Sequence, residues 1–225
     1  MRPAKPPHKG RVRGIVHRIG TALVDFALPP RCPACATVTG EMHRFCADCW
    51  RRLEFLPSED GAVRAAVGYG DVARAVLLKL KYARRLGHAE PVAAAMLRLL
   101  PGDAALLVPV PLARGRLWSR GYNQAGLIAS ALSRRSRVAV AHDVLMRTRK
   151  TPVLKGLGPE ARRRAVAGAF AATGAERLRG RHVVLIDDVF TTGATSHACA
   201  AALRDAGADR VTILAFARVI VGDAD

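Results

Sequence analysis

Residues 183–195 read Val-Val-Leu-Ile-Asp-Asp-Val-Phe-Thr-Thr-Gly-Ala-Thr, and no other stretch narrows the choice of fold as far. Val183, Val184, Leu185 and Ile186 form an unbroken apolar run, the mark of a strand buried on both faces. Asp187 and Asp188 follow at its carboxyl end, where open α/β sheets bind ligands. Thr191, Thr192, Gly193, Ala194 and Thr195 then turn into a helix. Backbone N–H groups at a helix N-terminus, together with threonine hydroxyls, cradle a phosphate. Gly193 lets the backbone approach that anion without a Cβ in the way. Two carboxylates beside a phosphate repel it unless they contact ribose hydroxyls, directly or through a hydrated Mg²⁺. The segment therefore reads as a sugar-phosphate pocket. A capping loop with merely solvated acids would explain a lone Asp-Asp pair. It does not explain strand, acids, Thr-Thr-Gly-x-Thr and helix in that order. No Gly-Lys-Ser/Thr follows the glycine, so this is not a Walker loop, and the lack of G-x-G-x-x-G disfavours a dinucleotide fold.

The remainder alternates in the same way. Residues 65–69 read as a short strand, and Asp71 is placed to cap a helix holding Val72, Val76, Leu77 and Leu80. A second helix is predicted over 90–100, then a buried strand over 106–110 with Pro109 tolerable at its end. A basic glycine-containing loop follows, then a helix near 125–134. Residues 138–140 and 144–147 are weaker strand candidates. Residues 150–159 read as an exposed loop and 160–166 as a helix. The last unit is strand 182–187, the Thr/Gly loop, helix 196–206 and strand 211–217. Apolar strands alternating with helices predict an α/β fold, a parallel sheet covered by helices on both faces.

Four of the five cysteines are clustered: Cys32, Cys35, Cys46 and Cys49 form C-x2-C-x10-C-x2-C. Each C-x2-C places two thiolates on one tight turn, at a separation that one tetrahedral zinc bridges. Four thiolates close the coordination shell, so the zinc is expected to be structural. Two disulfides in a secreted domain are the alternative, and no secretion signal supports them. Residues 1–14 are expected to be a disordered basic arm. Residues 15–57 should hold a helix, with Ile15, Ile19, Leu23 and Phe26 at helical spacing, and the cysteine module. The α/β unit is expected over 62–221. Cys199 reads as a small core residue.

A chain of 225 residues with 50% hydrophobic content is not wholly disordered, and suits one domain of ordinary size plus a small appendage. Its net charge of +18 suits polyanionic partners: nucleic acid, phosphorylated metabolites or an anionic membrane face. No apolar run reaches the roughly 18 residues of a membrane span, and the basic N-terminus lacks a cleavage site, which predicts a retained N-terminus and a cytoplasmic protein. Arg114, Arg116 and Arg120, near Tyr122, Asn123 and Gln124, suit pyrophosphate oxygens, or else form a solvated basic face. Lys79, Lys81, Tyr82, Arg84 and Arg85 make a second basic cluster, for pyrophosphate or for a nucleic-acid strand with an aromatic to stack on a base. Lys150 and Lys155 lie in the loop expected to act as a lid. Arg162, Arg163 and Arg164 read as a solvated helix face.

The 183–195 segment resembles the phosphoribosyl pyrophosphate (PRPP) signature of type I phosphoribosyltransferases. With the cysteine knuckles ahead of it, the chain resembles the ComF/GntX family of bacterial phosphoribosyltransferase-like proteins. Further family-like marks are Leu80-Lys81-Tyr82, Val108-Pro109-Val110-Pro111-Leu112, Arg120-Gly121-Tyr122-Asn123-Gln124 and residues 162–170. The resemblance implies a type I phosphoribosyltransferase fold behind a zinc-binding module of double zinc ribbon type. Asp187 and Asp188 would hold the ribose, residues 191–195 the 5′-phosphate, and Mg²⁺ would accompany PRPP. Two positions depart from the family pattern: Leu154 where glutamine is common, and Ala165 where asparagine is common. Two functions follow from the resemblance. One is transfer of phosphoribosyl to an amine or nucleobase with release of pyrophosphate. The other is a non-catalytic module that senses PRPP or a nucleotide and binds single-stranded DNA and a ComFA-type helicase in DNA uptake. No N-terminal cysteine nucleophile is present, so ammonia release from glutamine is not expected.

Overall fold

A computed structural model describes residues 29–57, 61–82, 85–149, 151, 156 and 158–220. The expected basic arm and first helix, together with Arg84, Lys150, Leu154 and Lys155, lie outside the described residues.

The apolar run at 183–186 forms the middle of β5 (His182–Phe190), and each of those four side chains is fully buried. Strands β1 (Val63–Gly68), β2 (Leu106–Pro109) and β6 (Arg210–Arg218) join it in one parallel sheet of order β1-β6-β5-β2. Successive side chains leave a strand on opposite faces, and β5 and β6 feed two separate cores accordingly. Val184, Ile186, Leu214 and Phe216 pack on one face against α2 (Asp71–Tyr82), α3 (Ala89–Met96) and α5 (Gln124–Ser136). Val183, Leu185, Val211 and Ile213 pack on the other against α8 (Ala194–Asp205) and the antiparallel pair β3 (Leu145–Arg147) and β4 (Phe170–Ala172). Cys199 is fully buried in that second core.

The cysteine module is built into the first core. Cys32, Cys49 and Leu53 are buried in the same cluster as Leu77, Leu80 and Leu107. After α1 (Ala47–Arg51) the chain runs alongside β1: Gly68 N–H donates to the Glu54 carbonyl at 2.8 Å and Leu56 N–H to the Ala66 carbonyl at 3.1 Å. Lys79 Nζ donates to the Ala34 carbonyl at 2.5 Å, tying α2 to the first knuckle.

Several elements differ from expectation. The basic stretch after β2 is a helix, α4 (Arg114–Arg120), not a loop. It buries none of its residues, so no apolar periodicity announces it, and it ends at Gly121 in a left-handed conformation, φ +79°. Residues 138–140 form no strand. Only Val140 pairs, in a single parallel bridge to Leu107. Strand β5 runs past the two acids to Phe190, and α8 starts at Ala194. Helix α6 (Pro159–Val166) and a short α7 (Ala175–Leu178) complete the described α-helices.

Candidate functional site

The strand–acid–loop–helix segment closes one wall of a cleft of about 210 Å³ at the carboxyl ends of the strands. Asp187, Asp188 and residues 191–196 form that wall, and Val110, Pro111, Leu112, Arg116, Arg147 and Arg162 face them. Gly193 is required here twice over. Its φ is +72°, and a Cβ would fall 2.4 Å from the Phe190 ring and 2.7 Å from His197. It also precedes the free N-terminus of α8, where the partial positive charge favours an anion.

The two acids are differently placed. Asp187 Oδ1 accepts from the Asp188 N–H at 2.8 Å and Oδ2 accepts from the Ser196 hydroxyl at 2.7 Å. Desolvation, followed by the neighbouring Asp188 charge, pushes the Asp187 carboxyl up to about 7. Asp188 instead turns to α2, with its Oδ2 at 2.6 Å from Lys81 Nζ. A divalent cation at this pair would compete with Lys81 for Asp188, and would meet Asp187 oxygens that each already accept a hydrogen bond.

Lys81 also borders a second cleft, of about 350 Å³, with Tyr82, Arg116, Ser119, Arg120 and Tyr122. Arg116 lines both clefts. Arg120 donates to Gln124 Oε1 at 3.0 Å and to Tyr82 Oη at 3.3 Å, and its guanidinium lies 4.9 Å over the Tyr82 ring. Asn123 Nδ2 donates to the Val110 carbonyl at 2.9 Å while its Oδ1 accepts from the first-turn N–H of Ala125, which fixes the α4–α5 turn against β2. Of the four cations expected at a pyrophosphate, Lys81, Arg116 and Arg120 gather here. Arg114 is not among the residues lining either cleft.

Three residues of the first cleft escaped sequence reasoning. Ser196 holds Asp187, one turn into α8. Arg147, on β3, stacks 5.4 Å over Phe170, donates to Thr151, and keeps a buried Nε with no hydrogen-bond partner. Burial, with Arg116 nearby, pulls its pKa below the usual guanidinium range. Arg162 lines the cleft rather than facing solvent with Arg163 and Arg164. The signal was present: Arg162 lies four residues before the buried Val166, on the same side of α6.

The sulfurs of Cys32, Cys35, Cys46 and Cys49 all lie within 4.8 Å of one another, and all are free thiols, not disulfides. Cys46 caps α1 by accepting from the Cys49 N–H at 3.4 Å. Thr37, 3.2 Å from Cys35 Sγ, pulls that thiol down to about 6, and burial pushes Cys49 up. Four sulfurs in this arrangement, two of them buried, fit a closed tetrahedral zinc site.

Comparison with known proteins agrees with this layout. Residues 23–60 match the profile of the double zinc ribbon domain. The chain is 31% identical to the "Competence protein ComFC" of Bacillus subtilis over 188 residues, 78% of this chain and 72% of that protein. It is 30% identical to the "DNA utilization protein YhgH" of Escherichia coli K12 over 201 residues, 84% of each. Half of it (113 residues, 35% identical) matches 49% of the "Competence protein F" of Haemophilus influenzae. A solved structure described as the allosteric regulatory enzyme of purine biosynthesis is more distant, with 19% identity, a TM-score of 0.40, and coverage of 61% of this chain and 29% of that one. No helix among the described residues is long and apolar enough to cross a membrane. With a four-cysteine zinc ribbon packed against a parallel sheet flanked by helices, this chain belongs to the ComF/YhgH family.

Proposed function

We propose that the first cleft binds PRPP, with the 5′-phosphate on residues 191–195 and the ribose hydroxyls at Asp187 and Asp188. The observation that supports this most is the division of charge in the cleft. Carboxylates stand at one side of the α8 N-terminus and Arg116, Arg147 and Arg162 face them, with Lys81 and Arg120 beyond. A sugar carrying phosphate at both ends matches that division. The buried, unpartnered Nε of Arg147 is suited to a ligand oxygen.

Transfer would then proceed by attack of an amine or nucleobase nitrogen on C1 of the ribose. The bond from C1 to the pyrophosphate oxygen breaks, and pyrophosphate leaves with the electron pair. The arginines stabilise that leaving charge, and no protein nucleophile is needed. Mg²⁺ supplies further neutralisation of the pyrophosphate when it is bound, and is kept here as the companion of PRPP. In this reading residues 62–221 carry the sugar-phosphate site, residues 15–57 the structural zinc, and the protein works in the cytoplasm.

The relatives' names speak of competence and DNA utilization and so support a second reading, a module that acts on DNA, which we extend to a single strand and a ComFA-type helicase partner. Trp118 favours it: the side chain is 91% exposed on α4, between Arg116 and Arg120 and on the helix that borders the Tyr82 cleft. Exposed aromatics among arginines are what a single strand stacks on.

Calorimetric titration with PRPP, in Mg²⁺, tests the first reading. Binding should weaken by about 100-fold or more in Asp187→Asn/Asp188→Asn, through loss of charge-assisted hydrogen bonds, with zinc content unchanged. Equal affinity in wild type and double variant would overturn the site. No PRPP binding at all, together with saturable, salt-dependent quenching of tryptophan fluorescence by oligothymidylate that Trp118→Ala removes, would favour the second.

A further inference from the structure

We propose that Lys81 is the resident counter-ion of the sugar-phosphate site, holding at Asp188 a place where a hydrated divalent cation could otherwise bridge the acid to the ribose. This rests on the PRPP reading above. Lys81 Nζ lies 2.6 Å from Asp188 Oδ2, and both side chains are mostly withdrawn from solvent, at 23% and 17% exposed. The ammonium is not a passing surface partner. Lys81 is the penultimate residue of α2, and that helix is anchored by Val76, Leu77 and Leu80, all essentially buried. Its last turn is fixed from the far side as well, because Tyr122 Oη donates to the Leu80 carbonyl at 2.6 Å. At the other end of the contact, Asp188 sits on β5, the strand hydrogen-bonded to β6 and β2 on its two sides.

Two rigid elements thus meet through one ion pair, at the boundary between the two clefts. Asp187 is a weakened partner for a cation, since each of its oxygens already accepts a hydrogen bond, from the Ser196 hydroxyl and the Asp188 amide. Arg116, shared by both clefts, adds a second positive charge. A divalent ion at Asp188 therefore competes with Lys81 for the carboxylate, against local cationic repulsion. PRPP meets a different surface. Asp188 is already neutralised, so its other oxygen accepts from a ribose hydroxyl, and Lys81 is within reach of the pyrophosphate side. The site is specified for a sugar phosphate first and a metal ion second.

The test uses the full-length, zinc-loaded protein. Mn²⁺ alone is titrated and followed by electron paramagnetic resonance, and PRPP is titrated by calorimetry in buffer freed of divalent ions by resin before the protein is added, and in Mg²⁺, on wild type, Lys81→Met and Lys81→Arg. Lys81 lies in the last turn of a helix and is partly exposed, and zinc content and thermal melts confirm that the variants fold. Wild type should bind Mn²⁺ weakly, and Lys81→Met should bind it about tenfold more tightly. Wild type should bind PRPP without Mg²⁺ within about threefold of its affinity in Mg²⁺. Lys81→Met should lose about tenfold without Mg²⁺ and recover in Mg²⁺, while Lys81→Arg keeps binding without Mg²⁺. Unchanged Mn²⁺ affinity in Lys81→Met overturns the proposal, as does wild-type PRPP binding that vanishes without Mg²⁺ while the zinc stays bound. Should PRPP bind under no condition, the sugar-phosphate reading falls, and the Mn²⁺ titration still decides whether Lys81 excludes a cation.

Discussion

Asp187 carries an electrostatic cost at the site. Its ordinary pKa near 3.8 is pushed up to about 7 by desolvation and by the Asp188 charge beside it, which the Ser196 hydroxyl offsets only in part. Between those values the folded protein holds a proton that the unfolded chain has lost. Stability from this group therefore falls as pH rises through the window, and the full cost is present above about 7. Asp187→Asn should remove that slope. Without ligand, variant and wild type should melt alike near pH 4, with the variant gaining on the order of a few kcal/mol by about pH 8. Parallel melting-temperature profiles across that range would sink the assignment. The acids were legible because two carboxylates straight after a buried apolar run are unusual, and the glycine because it stands where the chain turns from strand into helix. Arg147 was not, since a lone arginine in a three-residue strand carries no pattern, and the Phe170 ring it stacks on comes from another strand.

At the scale of elements, the junction between β5 and α8 is the tightest turn of the site. A methyl group at Gly193 meets the Phe190 ring and His197 in a conformation that already favours glycine. Gly193→Ala should cost about 1–3 kcal/mol in urea denaturation and weaken PRPP binding, because the loop N–H groups rotate away from the phosphate. A variant as stable as wild type would mean that the turn tolerates a side chain. Most elements were readable from pattern: β5 and β6 are apolar runs buried on both faces, and α2 repeats its apolar residues at helical spacing. Helix α4 was not, for a physical reason. It packs no side chain into a core, so its sequence is shaped by what it presents outward. Its helicity showed only in Gly121, whose left-handed turn closes it.

At the scale of the molecule, the zinc ribbon and the sheet share one core, so they should not melt apart. Cys32 and Cys49 contact the cluster that includes Leu80, and Leu80 anchors the helix that presents Lys81. Zinc removal by a chelator should lower a single calorimetric transition by about 5 °C or more. A separate, unshifted upper transition would show that the sheet stands alone. The cysteine spacing announced the metal, but the shared core lay beyond sequence reading, because it depends on which sheet edge the module meets. That edge is β1. Residues 54–56 run along it and occupy the Gly68 N–H and the Ala66 carbonyl, and Arg98 donates to that same carbonyl and to Leu56. A strand at the border of a sheet otherwise offers its free peptide groups to any passing chain. The ribbon thus works as a selvedge: loss of its metal would turn a unimolecular release into a concentration-dependent self-association, with copies joined through β1.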